Sequence, residues 1–422
     1  MNEITLAGCT PTPLASYLKA LGVLRLLSQQ VADHSFKAFW RNDALVLQSS
    51  IFSGHVEHDC ETVCSFFLKD YQPTPIMAPW NGGSGFYLRE GKTKELDSIT
   101  GKKIKTGIRD QPTQATKVVE AIIASTDERL SKYRAGLQLC KEVVKQFDLK
   151  QAPNNGAEKD RFIIALRAVL PDKNLEWLDA ALITTSDGTR FPPLFGTGGN
   201  DGNLDFTNNF MQRLGEVLDL NGDKSGKASH DWLNMALFGE AAPGLLKKAI
   251  GQFSPGQAGG PNASTGFEAA AAINPWDFVL MIEGALPFAA AAVRRNADDP
   301  HGVLSYPFTV RAVGAGSGSL GEGDSAAAHG ELWMPLWNRP VTYAEIRALL
   351  SEGRVALGKK PARDALDFVR AIHRLGGYRG IVSFQRYGLL MRSGKARSPK
   401  KIGASLRAKS PGTTATTWPD CA

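Results

Sequence analysis

Apolar residues recur at helical spacing along much of the chain. Leu14, Tyr17, Leu18, Leu21 and Leu24 share one helical face, and Thr12-Pro13 before them is a typical helix start. The same spacing predicts helices over 57–69, 113–124, 127–147, 205–218, 343–350 and 361–375 and in the block after 158, with a small-residue helix near 272. Short apolar runs predict strands over 4–7, 45–48, 306–313 and 380–390. The expected fold class is helix-rich α+β.

The length of 422 residues predicts a multidomain chain, because domains hold about 150 residues each. We predict an N-terminal α+β domain over 1–150 with a Pro/Gly loop, and a helical domain over 157–300 with a Gly/Asn-rich loop. A C-terminal α+β segment with a basic helix follows over 301–394. Past 394 the hydrophobic pattern vanishes, which predicts a disordered basic tail over 395–422.

Targeting signals and cysteine spacing predict a cytoplasmic protein. No basic cluster precedes an apolar run at the N-terminus, and Asp277, Glu283 and Pro287 interrupt the most apolar stretch. The five cysteines follow no disulfide spacing, so we expect reduced thiols. Because the most apolar stretch is interrupted, we expect no membrane partner.

Metal and catalytic chemistry have weak signals. His55, His58, Cys60 and Cys64 lie close together, but zinc sites pair two couples across a longer loop, so Cys64 is expected to face the core. Neither a Gly-x-Ser-x-Gly nor a His-Glu-x-x-His motif occurs. The sequence therefore predicts a non-enzyme without cofactors. Glu283 lies among apolar residues and is expected to be a buried hydrogen-bond partner.

Two glycine-rich segments are candidate binding loops. Loop 1 (78–85) contains Asn81, Gly82, Gly83 and Ser84, and it suits either a phosphate cradle or a tight turn fixed by a buried Trp80. The nearby Gly91-Lys92-Thr93 is not a nucleotide-binding P-loop, since Phe86 stands where that motif needs glycine.

Loop 2 (196–202) contains Asn200 and runs toward a helix start that carries Asn208, Asn209 and Arg213. A helix start offers free N–H groups to an anion. Pro192-Pro193 excludes the strand that a dinucleotide fingerprint requires. Hydrogen bonding to a nucleic acid and a purely structural role both fit this segment.

Positive charge is concentrated near the C-terminus. The net charge is +7, yet the chain before residue 359 is net acidic. Spacings of seven and four place Arg363, Arg370 and Arg374 on one helical face, which indicates nucleic-acid contact or a solvated surface. The remaining candidate contacts are Arg386 and, in a second basic stretch, Lys92, Lys102, Lys103 and Lys105.

Several segments, in order along the chain, resemble one family, the large subunit of the type I-G (formerly type I-U) CRISPR effector complex. They are PLASYLKALGVLR (13–25), PTPIMAPWNGGSGF (73–86), PLFGTGGNDG (193–202), LDFTNNFMQR (204–213), PWDF (275–278), ELWMPLW (331–337) and FQRYG (384–388). Both glycine loops are among them. Family chains are longer, so the resemblance implies a chain truncated at its C-terminus.

The resemblance implies a non-catalytic subunit of a crRNA-guided antiviral surveillance complex. Its expected role is to help recognise the target-flanking motif and to stabilise the opened DNA. The implied partners are crRNA, target DNA, the other effector subunits and a recruited helicase-nuclease. Two alternatives stay open: an enzyme that binds a phosphorylated small molecule at loop 2, and a degenerate truncated remnant without activity.

Overall fold

A computed structural model describes most of the chain. The described residues are 1–32, 34–96, 103–154, 156–185, 188–196, 199–201, 204–218, 226–249, 253–258, 270–293, 303–310, 329–353, 355–357, 360–362, 365–375, 380–393 and 404–409.

The described part of the chain has a helix-rich α+β fold, as predicted for a multidomain chain. The helices are α1 (Leu14–Gln30), α2 (Val56–Ser65), α3 (Gln114–Ala124), α4 (Ser131–Gln146), α5 (Ala157–Val169), α6 (Asp172–Ala181), α7 (Phe206–Val217), α8 (Gly226–Phe238), α9 (Pro275–Ala285), α10 (Tyr343–Glu352) and α11 (Ala365–Leu375). A π-helical turn, Phe66–Asp70, continues α2.

The strands are β1 (Asn2–Leu6), β2 (Phe36–Arg41), β3 (Ala44–Ser49), β4 (Arg89–Leu96), β5 (Lys103–Gln111), β6 (Ile183–Thr185), β7 (Gly188–Arg190), β8 (Asn200–Asp201), β9 (Leu204–Asp205), β10 (Leu246–Ala249), β11 (Ala270–Ile273), β12 (Ala291–Val293), β13 (Val303–Ser305), β14 (Thr309–Val310), β15 (His329–Trp337), β16 (Val341–Thr342), β17 (Ala356–Leu357), β18 (Lys360–Pro361), β19 (Ile381–Ser393) and β20 (Ala404–Lys409).

Helices α1 and α9 pack together along their backbones in the middle of the protein. A Cβ atom added at Gly284 would overlap the carbonyl oxygen of Leu18, and one added at Gly22 would overlap that of Leu280. Glycine is required at such a close approach because any side chain would separate the helices. Residues of α1 are buried on all sides from Leu14 to Leu27 with one partial exception, so the helix forms part of the core.

A buried ion pair connects these two helices. Arg25 Nη1 lies 2.6 Å from Glu283 Oε2, and Glu283 Oε1 accepts hydrogen bonds from Tyr71 Oη at 2.7 Å and Thr74 N at 2.9 Å. Both charged side chains are almost fully enclosed. The prediction that Glu283 is a buried hydrogen-bond partner is confirmed. Asp277, in the first turn of α9, forms a second ion pair between the two helices: Lys19 Nζ lies 2.6 Å from its Oδ1.

Two four-stranded sheets flank the helices. The first has the order β1-β3-β2-β16, and its Trp40 stacks on Tyr17 of α1 with ring centroids 5.4 Å apart. The second has the order β14-β15-β19-β20. Helix α11 packs against this sheet through Phe368, which stacks on Trp333 at 4.4 Å.

Some sequence predictions need correction. Helix α1 begins at Leu14, and its N-cap residue is Pro13. The sequence pattern had placed the N-cap at Thr12 and Pro13 at the first helical position. Residues 270–273 form strand β11, where a small-residue helix was expected. Residues 404–409 pair with β19 as strand β20, so this part of the predicted disordered tail is a strand; the rest of the tail lies outside the described residues. The predicted domain boundaries stay predictions.

Two further sequence predictions concern burial and membrane insertion. Cys64 is buried, as expected, and its Sγ donates to Asn234 Oδ1 at 3.2 Å. Among the described residues, no helix has both the length and the apolar character needed to cross a membrane.

Candidate nucleic-acid interface

Loop 1 is a tight turn whose polar side chains largely serve the turn itself. Asn81 N donates to Ala78 O at 2.8 Å, and Ser84 Oγ donates to Asn81 O at 2.6 Å. Trp80, Asn81 and Ser84 are buried, whereas Gly82 and Gly83 are exposed. The buried Ser84 therefore stabilises the turn and is not available to a ligand, contrary to its predicted contact with nucleic acid.

The end of loop 1 is fixed against α3. Gly85 has φ +92°, and a Cβ atom there would overlap the carbonyl oxygen of Ala115. Both the left-handed backbone and the close approach require glycine at this position. The turn is thereby held so that Gly82 and Gly83 form its exposed tip.

Loop 2 folds back onto the start of α7. Gly199 O accepts from Phe206 N at 2.7 Å, and β8 pairs with β9 so that Asn200 stands opposite Asp205. A Cβ atom at Gly199 would lie 3.0 Å from both the Trp177 ring and the Thr207 methyl group. The turn at Gly199 thus brings loop 2 against α7 with little space for a side chain.

The two glycine loops meet at the N-terminus of α7. Asn208 Nδ2 donates to Gly83 O at 3.0 Å, a contact between residues 125 positions apart in the chain. Asn209 Nδ2 donates to Asp205 O at 2.8 Å. Four predicted contact residues, Gly83, Asn200, Asn208 and Asn209, therefore lie around one point that also includes Asp205, which the sequence prediction did not select.

Asp205 is the buried centre of this junction. Its Oδ1 caps α7 by accepting from Asn208 N at 2.9 Å, and it also accepts from Thr207 Oγ1 at 2.7 Å. Its Oδ2 is buried with no hydrogen-bond partner among the described residues. Burial raises the pKa of this carboxyl from 3.8 to about 6. Its N-cap position before an apolar helix was the available sequence signal.

The cap changes the chemistry expected at this helix start. The sequence suggested free N–H groups for an anion, but Asp205 already accepts from one of them and adds negative charge near neutral pH. The helix terminus is consequently a poor place for a bound phosphate.

Arg213 does not face solvent. Its side chain is fully buried within α7, and its guanidinium donates to both carboxylate oxygens of Glu216. Contact with a nucleic-acid phosphate was predicted for Arg213, but the buried ion pair instead gives it a structural role.

The basic stretch near residue 100 forms a two-stranded antiparallel ribbon. Strands β4 and β5 pair with each other, with Lys92 opposite Ile108 and Lys105 opposite Lys94. Lys103 stands opposite Leu96, and Lys102 lies outside the described residues. This stretch was predicted only to be polar and exposed; a ribbon was not expected.

Two of the three C-terminal arginines lie one turn apart on α11 and the third falls outside the described residues, so the predicted common face stays a prediction. Helix α11 begins at Ala365, so Arg363 precedes it and lies outside the described residues. Arg370 is an exposed residue of α11, and Arg374 follows one turn later.

Arg386 differs from the helical arginines because it has an acidic partner. Its guanidinium forms two hydrogen bonds to the carboxylate of Glu331 and lies 5.3 Å from the centroid of the Trp333 ring. Since Glu331 already balances this charge, Arg386 is a weaker candidate for phosphate contact than Arg370.

No protein-family model matches this chain, and no curated protein matches it.

Within the part of the chain that the structure describes, no cluster of three or more His, Cys, Asp or Glu side chains could hold a metal ion.

Proposed function

We propose that this chain is the non-catalytic, DNA-binding large subunit of a cytoplasmic crRNA-guided effector complex. The ordered resemblance to the type I-G large subunit supports this function, with crRNA, target DNA, the other effector subunits and a helicase-nuclease as partners. The structural observation that carries the proposal is the meeting of loops 1 and 2 at α7. Both loops belong to segments that bear the resemblance.

The exposed tip of loop 1 suits close approach to a nucleic acid. Gly82 and Gly83 lack side chains, and no described residue accepts a hydrogen bond from their backbone N–H groups. Backbone N–H groups can donate to the acceptor atoms on base edges in a groove, and neighbouring polar side chains can contact base edges as well. In this proposal Asn208 holds the tip in place, and loop 1 reads the duplex beside the target.

The basic ribbon β4–β5 supplies the sequence-independent part of the proposed binding. A two-stranded antiparallel ribbon fits the major groove of duplex DNA. Its lysines, together with Arg370 and Arg374, would neutralise phosphates and release counterions. The division into a reading loop and a basic ribbon matches the two tasks of recognising the target-flanking motif and stabilising the opened DNA.

The alternative function, binding of a phosphorylated small molecule at loop 2, has less support. The N-terminus of α7 would have to hold the phosphate, but the Asp205 carboxylate caps it and is buried there. An anion at this point would meet an ionised carboxylate near neutral pH, which disfavours binding.

The test compares two triple variants of the full chain, assembled with its crRNA and partner subunits. The first is Lys92→Gln, Lys103→Gln and Lys105→Gln in the ribbon. The matched control, Lys117→Gln, Lys145→Gln and Lys150→Gln, removes the same charge from exposed positions elsewhere. Fluorescence anisotropy measures the affinity for flanked and unflanked duplexes between 50 and 200 mM salt.

The salt slope is the change in the logarithm of the binding constant with the logarithm of the salt concentration. We expect the ribbon variant to lower its magnitude by up to about three, because each lost phosphate contact lowers it by about 0.9. Both duplexes should weaken equally, while the control keeps the original slope. An unchanged slope in the ribbon variant would exclude the ribbon from the DNA path. Saturable nucleotide binding without DNA binding would instead favour the small-molecule alternative.

A further inference from the structure

A cavity of about 520 Å³ is lined by residues that belong to neither glycine loop and not to the ribbon. It opens between the C-terminal end of α1, strand β2, the segment after β3, and α2 with its π-helical turn. Its size falls within the range of small-molecule sites, and it is open to solvent on one side.

The floor of the cavity is apolar and aromatic. Phe36, Phe52 and Phe66 line it and are each less than a tenth exposed, and Phe36 meets Phe52 edge to face at 6.1 Å. Leu27 and Val63 complete this buried surface. Such a floor favours methylene groups, and the faces of aromatic rings attract cations.

The charged groups at the rim are mainly acidic. Glu61 and Asp70 line the cavity and are exposed, together with one histidine, His58. Asp70 has no hydrogen-bond or ion-pair partner among the described residues, and Glu61 meets only His230 Nε2, at 3.3 Å. The cavity therefore has one carboxylate without a described partner, Asp70, a second that meets only a histidine, Glu61, and no lysine or arginine in its lining.

The amide of Gln30 is already occupied. Its Nε2 donates to Gln72 O at 2.8 Å, and its Oε1 accepts from Gln72 N at 2.9 Å. This leaves the carboxylates as the principal groups that can orient a ligand. A ligand that matches them carries positive charge, and one that matches the floor has an aliphatic stem.

The π-helical turn contributes both kinds of group to the cavity wall. Tyr71 N donates to Phe66 O at 2.9 Å, which closes the wide i to i+5 turn. Phe66 and Asp70, the first and last residues of this turn, both line the cavity. Such turns occur frequently at functional sites.

We propose that this cavity binds a linear aliphatic polyamine. Its ammonium groups pair with the carboxylates of Asp70 and Glu61, and its methylene stem lies on the phenylalanine floor. An anionic ligand is disfavoured by the two carboxylates, and a neutral apolar ligand would leave both of them unused. This binding is independent of the proposed DNA contacts.

Isothermal titration calorimetry of the nucleic-acid-free full chain with spermidine tests the proposal. The variants are Asp70→Asn and Glu61→Gln, both at exposed positions, and the matched control is Glu142→Gln, an exposed acid of α4 outside the cavity. Butylamine, with one ammonium group, serves as the control ligand. Circular dichroism checks that the variants fold.

We expect saturable binding of spermidine by the wild type and the control, about tenfold weaker binding by each variant, and weaker binding of butylamine. Tenfold corresponds to the loss of one charge-assisted hydrogen bond. Absence of saturable binding by the folded wild type would overturn the proposal. Equal affinity in the wild type and in both variants would do so too, because it would place the bound amine elsewhere.

Discussion

Replacing Asp205 with asparagine tests whether a charge is buried at the junction of the two glycine loops. The asparagine side chain keeps an oxygen that can cap α7, so the substitution removes the charge while retaining the cap. Asp205→Ala is the companion variant, since it removes both. The wild-type carboxylate has Oδ2 buried without a partner among the described residues, which makes its ionisation costly.

The expected magnitude follows from the pKa. Burial raises the pKa of Asp205 from 3.8 to about 6, and one unit corresponds to about 1.4 kcal/mol, so ionisation costs the folded protein about 3 kcal/mol in total. Because the folded-state pKa lies above the unfolded-state pKa, the folded protein has its full stability while Asp205 is protonated, which is the case below pH 3.8. That full stability is lost as the pH rises through about 6. Asp205→Asn has no such loss.

Urea unfolding of wild type and Asp205→Asn between pH 4 and pH 7.5 measures this difference. The variants should be similar at pH 4, and Asp205→Asn should become more stable than wild type by about 2 to 3 kcal/mol at pH 7.5. Carboxyls with lowered pKa, such as Asp59 and Asp127, are present in both proteins and cancel in the comparison. Asp205→Ala should be less stable than Asp205→Asn by about 1 kcal/mol at every pH, because it lacks the cap. Parallel pH profiles for wild type and Asp205→Asn would refute the reasoning.

Three further substitutions test the core and the loop junction. Glu283→Gln should lower the free energy of unfolding by about 1.5 to 3 kcal/mol, because it leaves the buried Arg25 with the half-buried Glu176 as its ionised partner; a loss below about 1 kcal/mol in urea unfolding would contradict this. Gly284→Ala should cost at least about 3 kcal/mol or prevent folding, since its methyl group would overlap the α1 backbone, and an unchanged thermal midpoint would argue against that close contact. Asn208→Ala should weaken binding to flanked DNA more than to unflanked DNA, because it frees Gly83; anisotropy showing equal losses would remove loop 1 from motif reading.

Local patterns in the sequence determined most helices correctly. The apolar spacing from Leu14 to Leu24 predicted α1, and Thr113 and Asp205 stand at the N-caps of α3 and α7. These features depend on residues a few positions apart, so they are visible without the tertiary structure. The ribbon β4–β5 was missed because its polar strands lack the apolar alternation that a half-buried strand shows.

The candidate site was only partly predictable. The sequence selected Asn81, Gly83 and Asn208 from their loops, but charge and residue type alone also selected Arg213, which the fold buries against Glu216. A positive side chain has the same sequence signal whether it faces solvent or an acid one helical turn away. Burial depends on packing from distant segments, so local patterns do not determine it.

The sequence by itself determined most of the segments that form helices and supplied the candidate residues for contact with a nucleic acid. The tertiary structure alone brought Gly83 to Asn208 across 125 positions, enclosed Asp205 between the loops and paired Arg25 with Glu283. Helix formation follows from interactions over three or four residues, whereas these contacts depend on how the whole chain excludes water from its core. Burial then decides which charges are compensated, which pKa values shift and which polar atoms stay available to a ligand.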